Sequence, residues 1–334
     1  MGHIRFTLAL LVLISHAGLA TDSLSRVAVS CFFILSGYLM QLTLTYNYVP
    51  FTPKTIYRYF SNRFLRIFPL YWACILVIAI TNFGYFEAKT SGNWIGSLIP
   101  DHRISGNVIG PAWTLPYEIT YFLFAPLFAL LSLRWQLIIS AVATFTFMDW
   151  RFSDIWLLQR PFALGLSGSS ITAQAIMLFT VGALVYKAQS HFTLRHFGLS
   201  FNIITISFYL FVCVAILSNW TLGRSESFLF WEKNAQITNA IACLVLILAL
   251  LLWSHTESPR SSLVGRLTYP IYLIHWPLLQ VFLPQTAFAS YLRKVANYFY
   301  LADYLLLTLV VFLVSVSAGL VWLQIENKFF TAKH

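Results

Sequence analysis

The feature that most limits what this chain can fold into is a succession of long apolar runs, each bounded by charge, Pro or Gly, along its 334 residues. A hydrocarbon core about 30 Å thick is crossed by about 20 apolar residues in a helix that rises 1.5 Å per residue. Stretches of this kind occur at about 4–21, 27–47, 67–86, 113–131, 135–148, 172–187, 200–218, 235–254, 266–284 and 303–325. Inside a bilayer every backbone polar group must be satisfied by the chain itself, so such runs fold as helices. The expectation is an all-α, polytopic membrane helical bundle of about ten transmembrane helices. Charged residues make up only 10% of the chain, against about 25% in a soluble domain, which excludes an ordinary soluble enzyme. A mean hydropathy of +0.74 likewise excludes a disordered chain.

Two spans have individual features. Arg5, an apolar run and then Ala17-Gly18-Leu19-Ala20 imitate a signal peptide. His16, however, stands where a signal peptide should be apolar, so a retained helix is expected. The fifth span is short enough to be tilted or partly re-entrant. Cys31, Cys74, Cys213 and Cys243 all lie in apolar stretches at unpatterned spacings, which suggests packing residues and neither disulfides nor a metal site. With no long soluble extension and no internal repeat, residues 1–334 read as a single membrane domain without a fused soluble domain.

An even number of spans puts both termini on one side. With the termini in the cytoplasm, the inner segments hold twelve of the 21 basic residues, including the run Lys54 to Arg66, which has four basic and no acidic residues. Short basic loops of that kind lie inside. The net charge of +10 therefore reflects cytoplasmic loops and not nucleic-acid binding.

Ionisable residues within spans are costly, about 2.5 to 3.5 kcal/mol on insertion scales for Arg or Asp, and mark functional sites by default. Arg5 and His16 are eleven residues apart, close to three full helical turns, so they share one face about 16 Å apart along the axis. Glu118 lies near the outer end of the fourth span in Trp113-Thr114-Leu115-Pro116-Tyr117-Glu118, and His275 near mid-depth in Tyr269-Pro270-Ile271-Tyr272-Leu273-Ile274-His275. Each also has a structural reading: an intramembrane His can bond a neighbouring helix, and an interfacial carboxylate can be met by water. If the inner segment from Tyr57 to Pro69 is helical, Arg63 and Arg66 stand one turn apart, as a phosphate site requires. Topological anchoring by positive charge explains the same residues. No P-loop, G-x-S-x-G elbow, Gly-rich dinucleotide turn or His/Cys ligand cluster is present.

In this order and spacing these residues resemble the acyltransferase-3 family, the integral membrane O-acyltransferases of the O-antigen, exopolysaccharide and Nod-factor acetylase type. The resemblance rests on Arg5-x10-His16, Phe32-Phe33-Ile34-Leu35-Ser36-Gly37-Tyr38-Leu39, Arg63-Phe64-Leu65-Arg66-Ile67-Phe68-Pro69, Trp113 to Glu118, and Gly265 to Pro277. Thr114 and Thr268 stand where the family usually has Ser. The resemblance implies transfer of an acyl group, usually acetyl, from cytoplasmic acetyl-CoA as co-substrate, with no bound cofactor or metal, to a hydroxyl of an exported or cell-surface glycan. It implies a multi-pass protein of the bacterial inner membrane whose partners are the bilayer, the acyl-CoA donor and a glycan acceptor.

In that setting Arg5, Arg58, Arg63 and Arg66 are expected to bind the donor's phosphates. His16 is the expected general base, Glu118 the group that orients that imidazole or the acceptor hydroxyl, and Tyr121 an oxyanion donor. Ser36, Tyr38, Trp113, Thr114, Tyr272 and His275 are expected to line the site. Two other classes remain open: a proton-coupled transporter or flippase, and a membrane-bound O-acyltransferase acting on lipid or protein. Trp94, Trp220 and Trp231 in outer loops are candidate sugar-stacking platforms, although interfacial Trp is common in any membrane protein.

Overall fold

The computed structural model describes residues 1–18, 22–100, 107–151, 169–191, 241–251, 259–282 and 300–329. Among these residues the fold is all-α, with no strand. Its helices are α1 (Gly2–His16), α2 (Asp22–Asn47), α3 (Pro53–Thr81), α4 (Phe83–Thr90), α5 (Leu115–Leu130), α6 (Leu133–Arg151) and α7 (Ser169–His191). After these come α8 (Ile241–Leu251), α9 (Pro259–Pro277) and α10 (Tyr300–Phe329). Within the described residues, three segments are long and apolar enough to cross a membrane: Leu24–Asn47, Pro53–Thr81 and Leu305–Lys328. The expected span at 200–218 lies outside the described residues, as do Cys213, Trp220 and Trp231.

Several boundaries differ from the apolar runs because local capping overrides hydropathy. The first helix stops at His16, not residue 21: the Ala17 N–H bonds Leu13 O, the Gly18 N–H bonds Ser15 O, and Gly18 has φ +85°. Glycine adopts that left-handed turn without strain. Fifteen residues reach only about 22 Å, so His16 sits at a helix end. The third helix begins fourteen residues before the expected span, at Pro53, where Thr52 and Thr55 form a reciprocal capping box. Arg58, Arg63 and Arg66 are therefore helical. It ends at Thr81 because the Asn82 side chain accepts from the Tyr85 N–H and starts α4. The fourth span opens with a tight 3-10 turn, Gly110–Thr114, and α6 has 19 residues, more than its apolar run suggests.

The core is organised around α1, which buries Leu8, Ala9, Leu11, Val12 and Leu13 and packs against α2, α9 and α10. Gly2 lies against Gly265 at one end of α9, and His16 reaches His275 near the other, so the two helices run parallel. Arg266 bonds Asn327 Oδ1 at 2.7 Å and pairs with Glu326 at 3.5 Å, so α10 runs antiparallel to α9. The start of α1 and the end of α10 thus share one end of the bundle.

Helices α2 and α7 cross closely. A Cβ on Gly182 would strike Ile34 O, and one on Gly37 would strike Phe179 O. This is reciprocal small-residue packing, which lets two backbones approach where lipid gives no hydrophobic push.

Backbone carbonyls left open by a proline or a helix end are met from neighbouring helices. Pro126 cannot donate to Phe122 O, and the Tyr59 hydroxyl does so instead at 2.9 Å. The last carbonyls of α5 are met by Gln136 Nε2 on Phe128 O, 2.7 Å, and Lys187 Nζ on Leu131 O, 2.5 Å. Outward, α3 presents the aromatic ladder Phe64, Phe68 and Trp72, and α10 presents Leu305, Leu309 and Leu313. Apolar faces this extensive match hydrocarbon. Trp94 is held edge-on to Phe83 with its indole N–H on Glu87, 2.6 Å.

Gly182→Ala is expected to lower stability in detergent by about 1–3 kcal/mol, as overpacking does. Gly84→Ala, whose Cβ would meet only the Asn82 side chain at 3.9 Å, serves as the unaffected control. Thermal melting followed by size-exclusion chromatography checks both.

Candidate active site

Helices α1, α2, α3, α5 and α9 enclose a cavity of about 260 Å³. Arg5 enters it from α1 and Arg63 and Arg66 from α3, where continuous helix puts the two guanidiniums one turn apart on one face. Glu118 enters from the first turn of α5, where the positive end of the helix dipole favours a carboxylate. The charges acting on Glu118 are Arg5, Arg66 and Arg63. Three guanidiniums against one carboxylate leave positive charge in excess, which suits an anionic ligand.

The wall from α2 is largely apolar, with Phe32, Phe33, Leu35, Leu39 and Met40 interrupted by the hydroxyls of Ser36 and Thr43. The cavity therefore joins a cationic face to a greasy one. Its frame is fixed by tyrosine hydroxyls on backbone carbonyls. Tyr269 donates to Ile67 O at 2.7 Å, tying α9 to α3, and Tyr272 donates to Pro111 O at 2.9 Å, with Thr114 Oγ1 3.0 Å from the same hydroxyl. Two buried polar atoms on the lining have no hydrogen-bond partner: Arg63 Nε and Thr268 Oγ1. The Arg63 guanidinium lies over the rings of Tyr59 and Phe122, 5.5 Å from each centre. Unmet buried donors are uncommon in folded proteins and mark places where a ligand or water completes the bonding.

Beyond Tyr272, one turn along α9, lies the second group of polar residues. The Tyr272 ring is 6.3 Å from that of His275, whose Nε2 is 2.9 Å from His16 Nδ1. The Trp276 indole meets the His16 ring edge-on at 5.2 Å. Gly110 makes room for that indole, since a Cβ there would lie 2.6 Å from it.

The structure thus gathers seven of the sequence-selected residues, Arg5, Ser36, Arg63, Arg66, Thr114, Glu118 and Tyr272, around the cavity, and joins His16 to His275 beside it. The remaining four are elsewhere. Arg58 is exposed, donates to Asn47 O at 3.2 Å and covers the Tyr48 ring. Tyr38 is buried between α2 and α7, bonded to Gln189. Trp113 packs edge-on to Tyr117, and Tyr121 stacks face-to-face on Phe179, 4.4 Å apart at 9°. Glu118, expected at the outer end of its span to orient the His16 imidazole or the acceptor hydroxyl, instead lines the cavity with Arg5, Arg63 and Arg66, and His16 Nδ1 lies 2.9 Å from His275 Nε2.

Sequence reasoning passed over Thr268 and Tyr269 as site residues. Their signal was available: Thr268 lies four residues before Tyr272, on the same helix face.

A family model described as an acyltransferase domain matches residues 1–321. The chain belongs to the acyltransferase 3 family. No curated protein and no solved structure matches it. Membership, with the apolar helices, makes the chain an integral membrane acyltransferase. The match includes every cavity residue of this acyltransferase, and His16 and His275.

Because Thr268 Oγ1 is buried without a partner, Thr268→Val should leave the stability of the ligand-free protein unchanged or raise it, by about 1 kcal/mol at most. A thermal shift in detergent without ligand measures this. A clear loss of stability would show that the hydroxyl serves the fold.

Proposed function

We propose that this acyltransferase moves an acyl group, acetyl in the simplest case, from cytoplasmic acyl-CoA to a hydroxyl of an exported or cell-surface glycan. The observation that carries this reading is the cavity, which combines Arg5, Arg63 and Arg66 with an apolar wall and the unmet Thr268 hydroxyl. A nucleotide thioester has the matching parts: phosphates for the guanidiniums and an extended, less polar arm for the wall. Glu118, which interacts with all three cations, offsets part of their mutual repulsion.

The end of the bundle that holds Arg5, Arg63 and Arg66 is taken as cytoplasmic on the positive-inside rule, in a bacterial inner membrane. From Arg5 to His16 is about 16 Å along one helix face, the distance the donor's arm has to bridge. At its far end His16 acts as general base. The acceptor hydroxyl attacks the thioester carbonyl, its proton passes to His16, a C–O bond forms, the C–S bond breaks, and the proton leaves with the CoA thiolate. Tyr121, stacked on Phe179, has no part in this scheme, nor does the exposed Arg58.

Purified protein given labelled acetyl-CoA and a lipid-linked or exported oligosaccharide should release CoA and label the glycan. His16→Ala should lower that rate by about 10² to 10⁴-fold, the usual contribution of a general base. Arg63→Ala combined with Arg66→Ala should raise the donor KM at least tenfold while the acceptor KM stays within twofold. Label recovered on lipid or protein would point to the other membrane O-acyltransferase class, and glycan moved without CoA release would point to a flippase.

A further inference from the structure

The two imidazoles beside the cavity carry information about where protons lie, and what it adds rests on the functional reading above. His275 is fully buried, and its Nδ1 is 3.0 Å from Ile271 O, one turn back on its own helix. A carbonyl oxygen can only accept, so Nδ1 bears the proton. In the neutral ring Nε2 of His275 is then an acceptor, and the atom facing it at 2.9 Å, His16 Nδ1, has to be the donor. The two rings are 15° from coplanar with centres 5.3 Å apart, the edge-to-edge arrangement of an in-line N–H···N bond. The chain of bonds runs from His16 Nδ1–H to His275 Nε2, and from His275 Nδ1–H to Ile271 O.

We propose that His275 is a positioning residue that fixes His16 in the tautomer with its proton on Nδ1 and its basic lone pair on Nε2. An imidazole in water favours the opposite tautomer slightly, so without a directed acceptor His16 would hold its lone pair on the wrong nitrogen for much of the time. Ile271 supplies the anchor that makes the direction unambiguous, because a backbone carbonyl cannot reverse its role. When His16 accepts a proton on Nε2, its Nδ1–H bond to His275 is retained, so the same arrangement serves both protonation states. A neutral ring thus occupies the place that a carboxylate holds in Ser-His-Asp sites, in keeping with the apolar surroundings, where an anion is expensive. Trp276, edge-on to His16, holds the ring's tilt.

The test compares His275→Met, which keeps bulk and removes the acceptor, with His275→Gln, whose side-chain oxygen can accept from His16 Nδ1–H. Nitrogen NMR of ¹⁵N-histidine-labelled protein in lipid, with the His16 signals assigned from the spectrum of His16→Gln, should show the Nδ1–H tautomer in wild type and His275→Gln, and a shift to Nε2–H in His275→Met. Turnover should fall about 100-fold in His275→Met with the donor KM within twofold, and recover at least tenfold in His275→Gln. The same tautomer in all three proteins, or equal turnover in the Met and Gln variants, would overturn the proposal. Should the Met variant fail to fold, the Gln variant decides alone: loss of the Nδ1–H tautomer in it refutes the role, and retention with activity supports it. A wild type that shows the Nδ1–H tautomer but transfers no acetyl would overturn the acyl-transfer reading and leave the tautomer result intact.

Discussion

A bilayer core offers no water, so a polar group that its own helix leaves unmet needs a partner on another helix, and much of the structure is arranged around that demand. Pro126 lies inside α5, and the carbonyl it leaves open takes the Tyr59 hydroxyl from α3. The end of α5 takes Gln136 and Lys187. Tyr269 and Tyr272 tie α9 to the backbone of α3 and of the Gly110–Thr114 turn. Such bonds are directional, which packing among aliphatic side chains is not, and they set the helix registers that form the cavity.

The few unmet or excess groups gain meaning against that background. Arg63 Nε and Thr268 Oγ1 stay without partners on a cavity that also holds more cations than anions. At the other end of the same parallel pair, α1 and α9, two imidazoles meet with their proton direction set by one backbone carbonyl. The site therefore has two parts, a cationic cavity and an imidazole pair, linked by the face of α1 that carries Arg5 and His16.

Much of this was legible in the residues. Charge scarcity singled out Arg5, His16, Glu118 and His275, because an ionisable group in an apolar run is costly enough to need a reason. Helical spacing put Arg5 and His16 on one face and Arg63 beside Arg66. The misplacements have physical causes. Tyr38, Trp113 and Tyr121 stand one to three residues from cavity residues, but their side chains are taken up by α7 or by another ring. Hydropathy overran the end of α1 and missed the start of α3 because a glycine turn and a Thr-Pro cap decide those boundaries locally.

By itself the sequence determined that the chain is a helical membrane protein, which residues are too polar to be accidental, and the family they resemble. These depend on composition and on spacing within one helix. Only the tertiary structure decided the partners. Glu118 faces the arginines and His16 bonds His275, 259 residues further along. The reason is that contacts between helices depend on which faces meet, at what register and in which direction. In this bundle those are set jointly by glycine crossings such as Gly37 with Gly182 and by hydroxyls on distant carbonyls, which no single apolar run encodes.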